Sequence, residues 1–294
     1  MGKALYYCCP ALQVVEYRAH SGAYVEGVPQ PTAVMGFARA ACLALERKGL
    51  LRLERPLGMA YAVSDWNTPI GIARRTVTEH GKNSKAKDAA PFDPRSRTTA
   101  TLSLILELVQ PDDGPFLSAA ELEAQLLRMS LLSGSIFLMR EGAQTISVRH
   151  AKCFDSLRDA VRFAPANAFF VTDARQDLEA ILEGHPSTWA ALTALLARPV
   201  TGYKPHYAGA LVGWSPLTAL DTPSALRPVA VGHRWVEPVI GAVQFRNRGS
   251  MTQMVSRGDA GAPELWRYAP VEADAPEYLV VGSPCFEEPD EFVF

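Results

Sequence analysis

The sequence predicts an α+β protein. Its first half is a βαββαβ core of the ferredoxin-like, RNA-recognition (RRM) type, followed by a helical insertion and a β-rich C-terminal region packed on the core. Three observations predict this. Residues 1–150 switch between the two-residue period of strands and the 3.6-residue period of helices, in the order strand, helix, strand, strand, helix, strand. Residues 151–200 read as mostly helical. Residues 201–294 become short strands rich in Gly, Pro and aromatics, broken by Pro216, Pro223, Pro228, Pro238, Pro263, Pro270 and Pro276. Right-handed crossovers place both core helices on one face of a four-stranded sheet. A chain of 294 residues, 48% hydrophobic and 20% charged, is long and apolar enough to bury a core, as one large domain or two.

Each element has its own signal. Residues 4–17 form one long strand or two, with Pro10 making a bulge. Thr32 caps a helix that runs to about Lys48 and stops at Gly49, with Val34, Phe37, Ala38, Ala41 and Leu45 as its buried stripe. Gly36 costs that helix up to ~1 kcal/mol relative to Ala, and suits a place where a backbone or ligand comes close. Residues 58–64 are the second strand. The third, at 99–109, alternates Ala100, Leu102, Leu104, Leu106 and Leu108 with Thr99, Thr101, Ser103, Ile105 and Glu107. Asp112, Asp113 and Gly114 turn the chain. Ser118 and Glu121 then form a capping box for a helix whose stripe, Leu122, Leu126 and Met129, continues up to Gly134. Residues 135–139 are the fourth strand. In the helical segment Ser187 caps the last helix, packed by Trp189, Leu192, Leu195 and Leu196. The tail 287–294 is acidic.

Charge is local. The chain is net −2, which argues against a protein coated in nucleic acid. Yet a loop at 72–97 holds Arg74, Arg75, Lys82, Lys85, Lys87, Arg95 and Arg97 against Glu79, Asp88 and Asp93: seven cations against three acids, net +4. Gly81, Asn83, Ser84, Pro91 and Pro94 keep it from packing as a regular element. A cationic loop launched from a sheet suits a polyanion, most often nucleic acid. An ordinary solvated loop is the competing reading. A second basic cluster at 227–257 holds Arg227, His233, Arg234, Arg246, Arg248 and Arg257 against Glu237, interleaved with Trp235 and Phe245. It reads equally as arginine forks and aromatics for single-stranded RNA, or as a salt-bridged hairpin with its aromatics in the core. On a strand, Arg234 shares a face with Val236, and Arg246 with Arg248. The strand at 99–109 has no aromatic to stack a base, so RNA would be held by loops and the C-terminal arginines rather than by the open sheet face.

Other chemistry is scarce. There is no phosphate-binding GxxxxGK[ST], no GxSxG and no HExxH. His20, His80, His150, His185, His206 and His233 are scattered, so no metal site and no cofactor is expected. No run approaches the roughly 20 apolar residues of a membrane span, and the N-terminus has no signal-peptide pattern. Cys8, Cys9, Cys42, Cys153 and Cys285 are odd in number and form no CxxC. They read as reduced residues of a cytoplasmic protein, with adjacent Cys8 and Cys9 on opposite faces of one strand.

Several stretches together resemble one family. They are PQPTAVMGFARA with Pro31, Gly36 and Phe37, LLSGSIFLM with Gly134, Ser135 and Ile136, WSPL with Ser215, Pro216 and Leu217, HRWVEPV with Arg234, Val236 and Glu237, Arg248, and LWRY with Trp266. In this order they resemble the Cas-five-class subunits, the second Csy protein, of type I-F (Csy) CRISPR surveillance complexes of the Cascade kind. The 82–94 segment agrees with that family in position and charge and not in sequence. The resemblance implies a non-catalytic RNA-binding scaffold for antiviral DNA targeting. It would hold the 5′ handle of the CRISPR RNA and dock on the large subunit and the backbone filament. Target DNA near the protospacer-flanking motif is a further candidate partner. The alternative from another class is a CRISPR repeat endoribonuclease of related fold, with His20 and Tyr17, or His80 and Lys82, as general base and stabiliser. A third reading is a protein-interaction subunit that touches no nucleic acid.

Overall fold

The computed structural model describes residues 3–19, 25–27, 29–64, 71–72, 97–138, 140–141, 147–198, 206–217, 236–257, 265–270 and 278–283. The chain opens with β1 (Ala4–Arg18), β2 (Val25–Glu26), α1 (Pro31–Arg47), β3 (Gly58–Ser64), β4 (Gly71–Ile72), β5 (Arg97–Val109), α2 (Ala119–Leu126), β6 (Ser130–Leu131) and β7 (Gly134–Leu138). β7, β1, β5 and β3 lie side by side in that order, each pair antiparallel. α1 and α2 cover one face. Val34, Phe37, Ala38, Ala41 and Leu45 of α1 and Leu122 and Leu126 of α2 join one core cluster with Tyr7, Cys9, Leu12 and Val14 of β1, and Leu102, Leu104, Leu106 and Leu108 of β5. Expected strand, helix and stripe positions agree with this. The architecture is α+β with a mostly antiparallel sheet.

The Pro10 bulge has a structural consequence. The β1–β5 register shifts between Cys9, opposite Leu104, and Leu12, opposite Leu102. Three steps on β1 match two on β5, so one residue is added and the alternation is reset. Cys8 and Gln13, five apart, therefore point to the same face. Pro10 offers its carbonyl to the Ser103 hydroxyl at 2.5 Å, which keeps the interrupted ladder satisfied.

Some local expectations fail for identifiable reasons. Thr32 is not the cap: Gln30 holds that position and Pro31 starts the helix, where its missing N–H has no intrahelical partner anyway. The Gln30 side chain is buried and accepts from Leu211 N at 2.9 Å. Gly36 has room, because a Cβ there would meet nothing nearer than the Tyr268 hydroxyl at 3.9 Å. α2 keeps its capping box but ends at Leu126. Leu132 and Ser133 then adopt left-handed backbone, φ 50° and 67°, and turn β6 into β7. Gly134 follows because a Cβ would lie 2.8–2.9 Å from the Tyr17 backbone and Cβ.

Beyond β7 come β8 (Arg140–Glu141), β9 (Ser147–Val148), β10 (Lys152–Phe154), α3 (Leu157–Phe163), β11 (Phe169–Asp173), α4 (Arg175–Leu182) and α5 (Thr188–Leu196). The segment expected to be mostly helical, 151–200, thus contains two strands, β10 and β11. β11 pairs with the free edge of β3 through Phe169–Val63 and Phe170–Ala62. Ser187 caps α5 as expected, and Leu192 and Leu195 are buried, but Trp189 points to solvent. The C-terminal region supplies β12 (His206–Pro216), β13 (Val236–Asn247), α6 (Arg248–Arg257), β14 (Leu265–Pro270) and β15 (Tyr278–Ser283). α6 was not expected, and it ends the strand at Asn247, so Arg246 and Arg248 do not share a strand face.

These late strands close a circuit. β11 pairs with β13, β13 with β12, β12 with β15, β15 with β14, and β14 returns to β3 through Trp266–Met59. β3 thus serves β5 on one edge and both β14 and β11 on the other. Trp266 is fully buried and donates from Nε1 to Val171 O at 2.8 Å, which ties β14 directly to β11. The second face of the core sheet is covered by α3 and α6. Leu157, Ala160 and Val161 of α3 and Met251 of α6 pack on Tyr6, Cys8, Ala60, Ala62 and Ile105. Cys8 and Cys9 do face opposite cores. Burial raises both thiols above their ordinary range and pushes Cys42 up to about 12. No helix among the described residues is long and apolar enough to cross a membrane.

Candidate nucleic-acid interface

The sheet has two ends, and the basic segments leave from both. Ser64 ends β3 opposite Thr101, and Arg97 opens β5 opposite Arg18. The net +4 segment therefore joins two adjacent central strands at one end of the sheet. Arg74, Arg75, Lys82, Lys85, Lys87 and Arg95 lie outside the described residues. The same end holds Asn247, opposite Phe169, which in turn is opposite Val63. Arg246 and Arg248 flank Asn247. The β12–β13 hairpin runs the other way: Pro216 is opposite Val236 and His206 opposite Phe245. His233 and Arg234, also outside the described residues, precede Val236. The strand from Val236 to Asn247 has 12 residues, so its ends stand roughly 36 Å apart at about 3.3 Å per residue. Arg246 and Arg248 thus stand at the opposite end of β13 from Val236.

The described arginines differ in their commitments. Arg18 is exposed, and its backbone pairs with that of Arg97 across β1–β5. Arg246 is half-buried on β13, opposite Phe170. Arg248 donates from Nη1 to Ala164 O at 2.9 Å and to Arg162 O at 3.4 Å. A cation at the last carbonyls of α3 complements the helix dipole, so this nitrogen ties α6 to α3. Phe245 is buried, with its ring centroid 5.8 Å from that of His206. It belongs to the core and is closed to a base. Trp235 lies outside the described residues.

Of the endoribonuclease candidates only Tyr17 lies among the described residues. Tyr17 is fully buried and its hydroxyl donates to Gly27 O at 3.0 Å, so it faces no substrate. His20, His80 and Lys82 lie outside the described residues. His150 instead meets the buried Glu123 carboxylate at 2.8 Å, which also accepts from Ala151 N at 2.6 Å. That carboxylate fastens the start of β10 to α2. Another polar group, Asp177 with Tyr207 and Gln244, ties α4 to the β12–β13 pair: the Tyr207 hydroxyl donates to Asp177 Oδ2 at 3.1 Å. Burial, and then the Asp177 charge, raises the Tyr207 hydroxyl above its ordinary range. No group of three or more His, Cys, Asp or Glu among the described residues is placed to hold a metal.

One cationic surface was not singled out from the sequence. Arg149 Cζ and Lys152 Nζ each lie 5.1 Å from the centre of the Phe163 ring. Phe163 in turn sits 5.3 Å from Phe154. On α3, Arg158 and Arg162 are both exposed, one turn apart. The chain matches no protein-family model and no curated protein.

Proposed function

We propose that this chain is a non-catalytic RNA-binding subunit of a type I-F-like CRISPR effector complex. Its core is read as ferredoxin-like, since strand order β7–β1–β5–β3 with both crossover helices on one face is the split βαβ arrangement. The 5′ handle of the CRISPR RNA is held at the sheet end where β3 and β5 meet, by Arg74, Arg75, Lys82, Lys85, Lys87, Arg95 and Arg97. Arg246 stands at the same end. Arg234 and His233 also contact RNA, and Arg248 contributes only through the part of its fork not held by α3. The large subunit and the backbone filament are its protein partners in the cytoplasm, and target DNA beside the protospacer-flanking motif is a further one.

The observation that carries this reading is the junction itself: a sequence segment of net +4 connects two adjacent central strands, and exposed Arg18 ends β1 at the same end of the sheet. Seven cations against three acids in one connection, in a chain that is net −2, suit a polyanion. Handle RNA titrated against the protein at several salt concentrations tests it. In the Lys82→Ala/Lys85→Ala/Lys87→Ala variant the slope of log affinity against log salt should fall by roughly 0.7 per lost single-strand contact, about 2 in all. An unchanged slope would reduce these lysines to a solvated loop. Metal-independent cleavage of repeat RNA, abolished by His80→Ala, would replace the scaffold with a nuclease.

A further inference from the structure

We infer that a second single-stranded RNA contact runs along the β1 edge on the α3 side of the sheet, with Lys152, Arg158 and Arg162 taking phosphates and Phe137 stacking a base. The inference rests on the RNA-binding reading above and adds a site to it.

The placement follows from the bulge. Lys152 pairs with Cys8, and Phe137 pairs with Gln13. Directly paired residues project to the same face. The extra residue at Pro10–Ala11 puts Cys8 and Gln13 in phase, so Lys152 and Phe137 project to one side of one edge. Without the bulge, five residues of separation would set them on opposite faces. The two pairs are about five residues apart along β1, roughly 16 Å. α3 lies over this same face. Its Leu157, Ala160 and Val161 go down into the core and leave Arg158 and Arg162 outward.

The charges are crowded in a way the fold does not require. Arg149 and Lys152 converge on the Phe163 ring. Arg158 and Arg162 are a like-charge i,i+4 pair, which weakens a helix. Of the acids nearby, Asp155 is bridged by Lys3 at 2.7 Å, and Asp159 accepts from the Ser156 hydroxyl at 2.7 Å. Among the described residues Lys152, Arg158 and Arg162 make no ion pair. A polyanion turns this repulsion into attraction. Phe137 decides what kind. It is 53% exposed on β7, beside buried Ile136 and half-buried Leu138. An exposed ring on the same face, roughly 16 Å along the edge from the cations, suits a single strand that stacks a base there while its neighbouring phosphates are neutralised.

The test uses the full chain and a labelled oligouridylate, with affinity measured across a salt series. The Lys152→Ala/Arg158→Ala/Arg162→Ala variant should lose about tenfold in affinity at low salt and about 2 from the salt slope. Phe137→Leu keeps the apolar contact of the site and removes the aromatic face. It should lose about tenfold with the slope unchanged. Both changes are at exposed positions, and an unchanged melting temperature checks the fold. The Lys82→Ala/Lys85→Ala/Lys87→Ala variant is run alongside. If it weakens binding and the α3-side variants do not, the loop reading stands and this inference falls. If no variant matters because the parent does not bind oligouridylate or handle RNA, both readings fall. If the charge variant weakens binding and Phe137→Leu does not, the surface is a bare polyanion patch and base stacking on β7 is overturned.

Discussion

Arg267 reaches from β14 over Gly58 to the Glu107 carboxylate on β5, and this ion pair is where the C-terminal strands are clamped to the core. Tyr6 donates to the other Glu107 oxygen at 3.0 Å, and Arg267 Nη1 donates to Pro56 O at 3.2 Å. The glycine between is required: a Cβ at Gly58 would lie 2.7 Å from Glu107 Oε2 and 2.9 Å from Arg267 Cζ. The two partners are not equally buried, 6% exposed for Glu107 and 22% for Arg267. Arg267→Met strands a nearly buried carboxylate, and should cost about 3 kcal/mol, the lower end of the range for breaking a buried pair. Glu107→Met leaves a guanidinium that still reaches water and Pro56 O, and should cost only ~1–2 kcal/mol. Replacing both with methionine should cost less than Arg267→Met alone, because no uncompensated charge remains. Urea unfolding of the four proteins gives the cycle, and protease cleavage near β14 reports release of the clamp. A cost below ~1 kcal/mol for Arg267→Met, or strictly additive single changes, would refute the clamp.

Two more outcomes follow from the same geometry. Arg248→Ala removes a charged donor from the Ala164 and Arg162 carbonyls and should lower stability by ~1.5–3 kcal/mol; an unchanged melting temperature would free this arginine for RNA alone. Thiol labelling of the native protein, read by peptide mass, should reach half-buried Cys153 before Cys8, Cys9 or Cys42, whose thiols burial raises more; simultaneous labelling would mean the core opens as fast as the edge.

What could be read from the sequence was whatever a short window determines. The strand at 58–64, the alternation in β5 and the Ser118–Glu121 box each depend on neighbours a few residues away, and each stands where expected. β11 could not be read that way. FFVTD is five residues of apolar chain between helical stretches, and its strand character comes from β3 and β13, more than 70 residues away on either side in the chain. α6 hides for the opposite reason: RGSMTQMVSR has little apolar period, and among its described side chains only Met251 is fully buried. The α3-side cations were diluted by Asp155 and Asp159 between them. They come together only in the fold, where Lys3 pairs with Asp155 and Lys152 of β10 meets the Phe163 ring of α3.

The length of β13 limits how RNA can lie. Arg246 and Arg248 stand at the end where the 72–97 segment leaves the sheet, and Val236, which Arg234 precedes by two residues, stands at the other. A single short handle held at one end does not reach both without crossing the molecule. α3 offers the crossing. The chain enters it from β10, paired with β1 at Tyr6–Cys8, and leaves it toward Phe169, opposite Val63 and Asn247. The helix, about 10 Å long over its seven residues, therefore covers part of the way between the two ends, with Arg158 and Arg162 outward. If RNA occupies both ends, its path lies over α3, and changes at Arg158 and Arg162 should lower the coupling between the Lys82/Lys85/Lys87 and Arg234 contacts. In a double-variant cycle, loss at one end should then become independent of loss at the other once α3 is neutralised. Persistent coupling without the α3 cations would send the RNA by another route.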